Sequence, residues 1–343
     1  MDQLGVGEMS VLEAAKEAVR GYREALYHRA SGAKEAVEAC FLPGAEVKLC
    51  FPFETLEGGR ALWAKALGPL SKAWPDLERR DYIEIAGHDG EGALWVGCAG
   101  LYLGTARAPW MGIPANGRLH HMRYHEFFRI EGGQVAEMQA LWDIPSVMMQ
   151  AGAWPLAPAL GAEWAVPGPA TQDGLGPHPA ERSEASCAHV VAMLEALTRH
   201  PSQGGPEVME LERFWHPKMN WYGPAGIGTG RGIEGFRRVH QIPFLKAMPD
   251  RGQYPEEVSF HFLAEGDYVG VTGWPDMAQT LDGAGWLGIA PAGKKIEMRS
   301  LDFWRMEGGL IRENWVLVDM LHMYDQIGVD VFERMAERVD LWR

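Results

Sequence analysis

Residues Arg123–Gly152 read RYHEFFRIEGGQVAEMQALWDIPSVMMQAG, and residues Arg299–Gly328 read RSLDFWRMEGGLIRENWVLVDMLHMYDQIG. The two stretches align without a gap at an offset of 176 residues, the difference between positions 123 and 299. Both contain a Gly-Gly turn between two apolar runs. A repeat at this distance indicates a duplicated domain, because the units of a solenoid recur every ~20 to 50 residues. The identical positions are Arg123/Arg299, Phe127/Phe303, Arg129/Arg305, Glu131/Glu307, Glu137/Glu313, Leu141/Leu317, Asp143/Asp319, Gln150/Gln326 and Gly152/Gly328.

The length of the chain supports the same organisation. At 343 residues it exceeds the usual size of one hydrophobic core. The duplication predicts a first domain at 1–152 and a second at 187–343. Residues 153–186 are dense in Pro and Gly, which predicts a linker. Trp154 and Trp164 indicate that this linker packs along a surface.

Composition restricts the partners and the compartment. Apolar residues make up 47% of the chain and the net charge is −14, so we expect a globular protein that binds neither nucleic acid nor a membrane. The four cysteines have no metal-ligand spacing, and the N-terminal stretch is acidic where a secretory signal is basic. We therefore expect reduced thiols and a cytoplasmic location.

The order of predicted elements gives the fold class. In each half, helices come first and a set of antiparallel strands follows. Val11 to His28 has apolar residues at helical spacing, and Leu119 to Ile130 with Val135 to Asp143 forms the repeated hairpin. In the second half we expect strands at Val258 to Leu263, Tyr268 to Trp274, Ile296 to Met306 and Leu310 to Asp319. This pattern predicts an α+β fold.

The repeated hairpin resembles the SnoaL-like polyketide cyclases of the nuclear-transport-factor-two-like superfamily. The resemblance is carried by GIPANGR at 112–118, by HEFFRIEGG at 125–133, and by GKKIEMRSLDFWRMEGGLIRENW at 293–315. It implies two cone-shaped α+β barrels, each with helices over the concave face of a curved sheet. It also implies a small-molecule substrate and no cofactor. Because this superfamily includes several reactions and non-catalytic binders, the resemblance is specific for fold only.

Ketosteroid isomerase is a related enzyme of this superfamily. Its acid before the apolar-apolar-Arg run points into the pocket, which places Glu126 and Asp302 there. Its tyrosine donor on the first helix corresponds to Tyr22, whereas the second half has Met193 or Leu194 at that position. Its general-base Asp has no counterpart, since the matching segment holds Phe51-Pro52 in the first half and Tyr222-Gly223-Pro224 in the second.

Strand alternation separates the two faces of the hairpin. Every strand position that is identical in the two copies lies on the other face of the sheet from Glu126 and Asp302. In single-domain relatives that convex face joins two subunits, so we expect an internal pseudo-dimer with Arg and carboxylate side chains paired across the contact. Association of the whole chain with further copies of itself is compatible with this expectation. The alternative is that these pairs are solvated strand pairs.

The second half gives the first set of candidate site residues. Asp302 and His240 are candidates for proton transfer, and Asn314 for a hydrogen bond to an enolate oxygen. The alternatives are a structural acid at 302 and a backbone-satisfied histidine at 240. A flat aromatic wall is expected from Trp221, Tyr222, Trp274 and Trp286.

The first half gives the corresponding set. Its catalytic candidates are Tyr22, Glu126, Tyr124 and His120, with Trp142 and Met138 as substrate-binding residues. His120, His121 and His125 invite a metal interpretation, but alternation sends His120 to the opposite face from the other two, so no metal is expected.

Together these observations predict a cofactor-independent acid-base enzyme, a lyase or isomerase, acting on a carbonyl-bearing aromatic or polycyclic molecule through an enolate-like intermediate. Aldol-type cyclisation, retro-aldol cleavage and isomerisation share that intermediate. An epoxide hydrolase or cyclase is an alternative that needs an Asp-Arg-Asp or Asp-Glu arrangement, which the sequence alone does not assemble. A non-catalytic small-molecule-binding protein is the other.

Overall fold

The computed structural model describes residues 10–28 and 31–340. It contains two mixed six-stranded sheets with helices beside them, which confirms the α+β class. The acidic N-terminal stretch discussed above covers residues 1–22, of which 1–9 lie outside the described residues. Within the described ranges, no helix is both long and apolar enough to cross a bilayer.

The first sheet has the strand order β2-β1-β6-β5-β4-β3. Among its strand pairs only β1 and β6 are parallel, because the chain returns to β1 from the far end of the sheet. The strands are β1 (Phe41–Leu49), β2 (Glu54–Glu57), β3 (Glu78–His88), β4 (Leu94–Thr105), β5 (Leu119–Glu131) and β6 (Gln134–Trp142).

The helices of the first half bury one apolar face. In α1 the residues Ala15, Val19, Tyr22 and Leu26 recur every three or four positions and are buried, as their spacing predicts. The helices are α1 (Val11–His28), α2 (Ala33–Cys40), α3 (Gly58–Leu62), a π-helical turn (Trp63–Leu67), α4 (Gly68–Ala73) and α5 (Ile144–Gln150).

The second half repeats this plan with the strand order β8-β7-β14-β13-β10-β9 and a separate hairpin β11-β12. Its strands are β7 (Trp215–Tyr222), β8 (Thr229–Arg231), β9 (His261–Glu265), β10 (Tyr268–Thr272), β11 (Met277–Leu281), β12 (Lys294–Met298), β13 (Ser300–Glu307) and β14 (Leu310–Val318). Its helices are α6 (Ser183–Leu197), α7 (Leu211–Phe214), α8 (Gly232–Phe236), a π-helical turn (Arg237–Gln241), α9 (Ile242–Ala247), α10 (Met320–Gln326) and α11 (Val331–Asp340), with 3-10 turns at Ala180–Arg182, Pro206–Met209 and Pro255–Glu257.

The hairpin register confirms the alignment of the two halves. Tyr124 lies opposite Trp142 in the first half, and Ser300 lies opposite Val318 in the second. Both hairpins also have an irregularity at the same place, after Arg129 and after Arg305. Equivalent positions therefore face the same way in both sheets.

The halves differ where long strands break. β4 and β5 run without interruption for 12 and 13 residues. In the second half the matching strands are divided, so the strand predicted for Ile296 to Met306 is two strands that separate at Arg299. The strand predicted for Val258 to Leu263 begins only at His261. The interruption between β10 and β11 places Asp276, the residue before β11, against the start of β13. Its Oδ1 accepts a hydrogen bond there from the Ser300 N–H at 2.7 Å.

The convex faces of the two sheets contact each other. The rings of Phe127 and Phe303 stack with centroids 4.9 Å apart. The Phe51 N–H donates to Asp319 at 2.9 Å, and the equivalent Ala225 N–H donates to Asp143 at 3.2 Å. Because each contact recurs with the halves exchanged, we infer an internal pseudo-dimer.

Charge pairing across this contact differs from the expectation. Arg129 pairs with Glu137, and Arg305 pairs with Glu313, each within its own half. Across the contact, Arg123 donates to backbone carbonyls of the second half. Arg299 donates across it to Glu54, an acid that the hairpin comparison did not include.

The segment predicted as a linker packs along the surface. Gly161 and Ala162 bond to the loop that ends at Thr229, and Pro167 accepts a hydrogen bond from the Trp315 indole. Its Gly174 carbonyl accepts from the Glu84 N–H of the first sheet. The linker therefore ties both sheets together.

Candidate active site

The second half encloses a cavity of about 380 Å³ between its helices and the concave face of its sheet. This volume is in the range of small-molecule sites. Most of the lining is apolar and aromatic, and α6, α8 and α9 form one side of it. The aromatic lining residues are Trp215, Trp221, Phe236, Phe244, Phe260, Phe262, Trp286 and Trp304.

The polar groups of the cavity include two carboxyl groups linked by one serine. The Ser300 hydroxyl donates to Asp302 Oδ1 at 2.7 Å, and the Ser300 N–H donates to Asp276 Oδ1 at 2.7 Å. Neither Oδ2 atom has a hydrogen-bond partner among the residues that the structure describes. Asp302 and Asp276 both line the cavity, so each can offer an oxygen to a ligand.

Burial changes the protonation of this pair. It raises the pKa of Asp302 to about 7. Burial, and then the nearby Asp302, raise the pKa of Asp276 well above its usual value. Two carboxyl groups in one apolar site do not both ionise readily, so the pair holds a proton more tightly than two separate carboxyl groups would.

His240 lines the same cavity, one helical turn from both Phe236 and Phe244. Its ring stacks on Trp221 with centroids 4.2 Å apart and an interplanar angle of 9°. Burial lowers its pKa to about 3, so the imidazole is neutral at physiological pH. Its buried Nδ1 has no partner, so a backbone carbonyl does not satisfy this nitrogen.

Arg251 also lines the cavity, although no pattern in the sequence indicates it. It follows Pro249-Asp250 in an irregular segment, where no strand or helix period predicts a side-chain direction. Among the described residues, nothing forms a hydrogen bond or ion pair with its guanidinium. Burial lowers the pKa of Arg251, and the nearby Asp276 and Asp302 offset part of this lowering.

Three other predictions for the second half need correction. Asn314 lines the cavity, but its Nδ2 donates to the carbonyls of Phe303 at 3.0 Å and Trp315 at 3.5 Å, so this donor is not free for an enolate. Tyr222 points away, packing on Trp315 and donating to Glu313 at 3.0 Å. Trp274 lies under Arg299 and not in the cavity lining. Trp221 and Trp286 do line it, as proposed from the sequence.

In the first half the equivalent interior is filled by its own side chains. Glu126 is 0% exposed and accepts from Arg79 at 2.5 Å, Tyr102 at 2.9 Å, Trp142 at 3.0 Å and Tyr22 at 3.3 Å. The structure brings Tyr22 and Glu126 together as expected. It surrounds them, however, with partners that the sequence did not identify, so a substrate has no access to this carboxylate.

The other first-half candidates do not join a site with Glu126. The Tyr124 hydroxyl donates to Asp81 at 2.8 Å, and Met138 is fully buried in the core. His120 packs its ring on Trp74 and bonds to Asn116 at 3.0 Å. His125 bonds to the Leu301 carbonyl of the other half, away from His120. These residues stabilise the fold of the first half.

Part of the second half is similar to a known protein family. Residues 202–327 match the SnoaL-like polyketide cyclase family. The resemblance predicted from the sequence is confirmed for these residues of the second half. No curated protein is similar to the chain in sequence.

Several solved structures are similar to the chain. IdmH from Streptomyces antibioticus, described as a candidate polyketide cyclase, is 20% identical, with 40% of this chain and 98% of that chain covered and a TM-score of 0.34. A candidate polyketide cyclase from Xanthomonas campestris pv. campestris is 22% identical, with 40% and 96% covered and a TM-score of 0.34. An NTF2-like protein from Burkholderia thailandensis E264 is 20% identical, with 40% and 96% covered and a TM-score of 0.32.

Proposed function

We propose that the second half is a cofactor-independent acid-base enzyme, a lyase or isomerase, that acts on a carbonyl-bearing aromatic or polycyclic molecule through an enolate. The observation that carries this proposal is the position of Asp302. This acid faces an enclosed apolar cavity, where the pKa of its carboxyl group is raised to about 7. A base with a pKa near the working pH is suited to proton abstraction, because an adequate fraction is ionised and each ionised group is strongly basic.

The first step transfers a proton from the substrate carbon beside the carbonyl to Asp302. The C–H electron pair becomes the enolate C=C bond, and the carbonyl π pair moves onto oxygen. Asp276 is the candidate donor to that oxygen, since burial and the nearby Asp302 raise the pKa of its carboxyl group well above its usual value, and its Oδ2 has no other partner among the described residues. A neutral acid in an apolar site has this role in ketosteroid isomerase, a worked example of such pKa tuning.

The second step depends on the substrate. Return of the proton to another carbon gives isomerisation, and attack of the enolate carbon on a second carbonyl gives aldol cyclisation. C–C cleavage of a β-hydroxy ketone runs the other way: Asp302 takes the hydroxyl proton, the O–H electron pair forms the new carbonyl, and the C–C electron pair leaves as the enolate. Asp302 and Asp276 serve all three, because negative charge develops on the same oxygen in each transition state.

The lining supports a flat, largely apolar substrate. The stacked pair of His240 and Trp221 offers a planar surface, and Trp286 and Phe244 meet edge to face with centroids 5.4 Å apart. Aromatic rings prefer such offset and edge contacts. The polar groups of Asp276, Ser300 and Asp302 are concentrated at the start of β13.

A model substrate tests this proposal before the natural one is known. 5-Nitrobenzisoxazole opens to a coloured cyanophenolate when a base removes its C3 proton, so it reports on a carboxylate in an apolar cavity. We expect turnover that rises with pH around 7. We expect Asp302→Asn to lower it at least about 100-fold, the usual contribution of a general base. Asp282→Asn, an exposed acid of the same half, is the matched control. An unchanged rate in Asp302→Asn with its fold intact would overturn the assignment.

Epoxide opening is a second candidate, favoured by one observation. Asp276, Arg251 and Asp302 line the same cavity, which supplies the Asp-Arg-Asp set that the sequence did not assemble. In this reaction Asp302 takes a proton from the attacking water, while Asp276 gives its proton to the epoxide oxygen as the C–O bond breaks. Styrene oxide separates the two candidates: diol formation that is lost in both Asp302→Asn and Asp276→Asn favours epoxide hydrolysis.

A further inference from the structure

We infer that the natural ligand of this cavity is an organic anion, an aromatic acid whose carboxylate or phenolate oxygen binds Arg251. The inference rests on the proposed function in taking the cavity as the substrate site. It adds the charge of the substrate and the residue that recognises it.

The first observation is that Arg251 has no partner where comparable arginines have several. Arg79 pairs with Glu126 and Asp81, and Arg305 pairs with Glu313 and Glu307. Arg123 donates to three backbone carbonyls. Against these, the guanidinium of Arg251 has no hydrogen bond or ion pair within the described residues. Arg251 is only partly exposed, unlike these fully buried arginines, and a partly desolvated cation gains from a counter-ion, so an anion in the cavity would complete its contacts.

The second observation is that the surrounding groups do not neutralise this cation. Asp276 and Asp302 line the cavity with it, but neither forms an ion pair with it, and both are held toward their protonated forms. His240 is neutral, and Glu195 lies exposed at the rim. Below about pH 7, where Asp302 is mostly protonated, the interior therefore has a positive charge and a carboxylic acid donor, a combination that is complementary to a carboxylate.

The third observation is the shape of the lining around this charge. The guanidinium carbon of Arg251 lies 5.8 Å from the ring centroid of Phe244, which itself packs against His240 with centroids 5.2 Å apart. An anionic group at Arg251 thus lies beside the aromatic wall. A flat ring with one acidic substituent can contact the wall and the guanidinium together.

A pair of probes that differ only in charge tests the inference. 2-Naphthoate and 2-naphthamide have the same ring and nearly the same size, and quenching of tryptophan fluorescence at pH 6.5 reports binding near Trp221 and Trp286. We expect naphthoate to bind at least tenfold more tightly than naphthamide. Arg251→Gln is expected to weaken naphthoate at least tenfold and to change naphthamide less than twofold. Arg238→Gln, at an exposed arginine of the π-helical turn that contains His240, is the matched control and is expected to change neither.

The pH dependence adds a second readout. Asp302 ionises as the pH rises through about 7, which places a negative charge beside Arg251 and competes with the ligand. Naphthoate is already an anion, so its affinity should fall between pH 6 and pH 8, while naphthamide affinity should stay within twofold. The other charged or titratable groups that line the cavity are Asp276, His240, Arg251 and Glu195.

The outcomes separate this inference from the function on which it rests. Equal affinity for both probes, an equal loss of both in Arg251→Gln, or no binding of naphthoate would each overturn the anion inference. Such results leave the acid-base proposal standing if Asp302→Asn still abolishes nitrobenzisoxazole turnover. If that turnover is unchanged while naphthoate binds through Arg251, the acid-base proposal fails and the cavity is an anion-binding site.

Discussion

Glu126 and Asp302 occupy the same position on the central strand of the two halves, yet only Asp302 faces a cavity. The side chains around them explain the difference. Tyr124 corresponds to Ser300, and Trp142, opposite Tyr124, corresponds to Val318, opposite Ser300. Two large aromatic groups in the first half are thus a hydroxymethyl and an isopropyl group in the second. The volume of the interior side chains, and not the backbone plan, decides which half can accept a ligand.

The arginines make the same contrast in charge. In the first half Arg79 enters from β3, pairs with Glu126 and lies within cation–π distance of the Tyr22 and Tyr124 rings. In the second half Arg251 comes from an irregular segment and is left without a partner among the described residues. An acid and an arginine thus form a buried ion pair in the first half, whereas in the second half they line the cavity without pairing. Each test below exchanges or removes one member of this comparison.

The largest expected effect is on the stability of the first half. Glu126→Gln removes the charge that balances the fully buried Arg79, and we expect the free energy of unfolding to fall by about 3–5 kcal/mol. Urea denaturation at pH 7 measures this change. Glu131→Gln, at an exposed acid close to it on the same strand, should stay within about 0.5 kcal/mol. A loss below about 1 kcal/mol for Glu126→Gln would show that the pair is not structural.

A smaller effect of opposite sign is expected in the second half. The pKa of Asp302 is raised when the protein folds, so the folded state binds more protons than the unfolded state between pH 4 and 7, and stability falls as the pH rises through that window. Asp302→Asn removes this penalty and should raise the free energy of unfolding at pH 8 by on the order of 2 kcal/mol. This is less than the free energy that corresponds to the whole pKa shift, because the carboxyl group faces the cavity.

The same variant should be neutral at pH 4, where the carboxyl group of the wild-type protein is already protonated in the folded state. Denaturation of both proteins at pH 4 and pH 8 provides the comparison, with Asp282→Asn as the exposed control. A stabilisation of equal size at both pH values would mean that packing, and not ionisation, is responsible.

The sequence predicted the fold well because the hairpin repeats with its register intact. Alternation from Glu126 correctly separated the cavity face from the contact between halves, and helical spacing placed His240 beside Phe236. These are periodic signals, and a period determines a direction.

The missed residues lie where no period applies. Asp276 lies in the irregular stretch between β10 and β11, and Arg251 lies in another irregular segment. The side-chain direction of Arg79 can be predicted from strand alternation on β3. A buried acid at Glu126 also indicates that a cationic partner such as Arg79 lies nearby. Asn314 faces the cavity as expected from strand alternation. The backbone carbonyls that accept hydrogen bonds from its side-chain amide cannot be identified from the sequence.

The crystal structure of the protein soaked with 2-naphthoate tests the central claim most directly, because it asks which half accepts a ligand. We predict ring density against His240 and Trp221 with the carboxylate at Arg251, and an undisturbed pair of Arg79 and Glu126 in the first half. Naphthoate bound beside Glu126, with Arg79 displaced and the second cavity empty, would contradict the account.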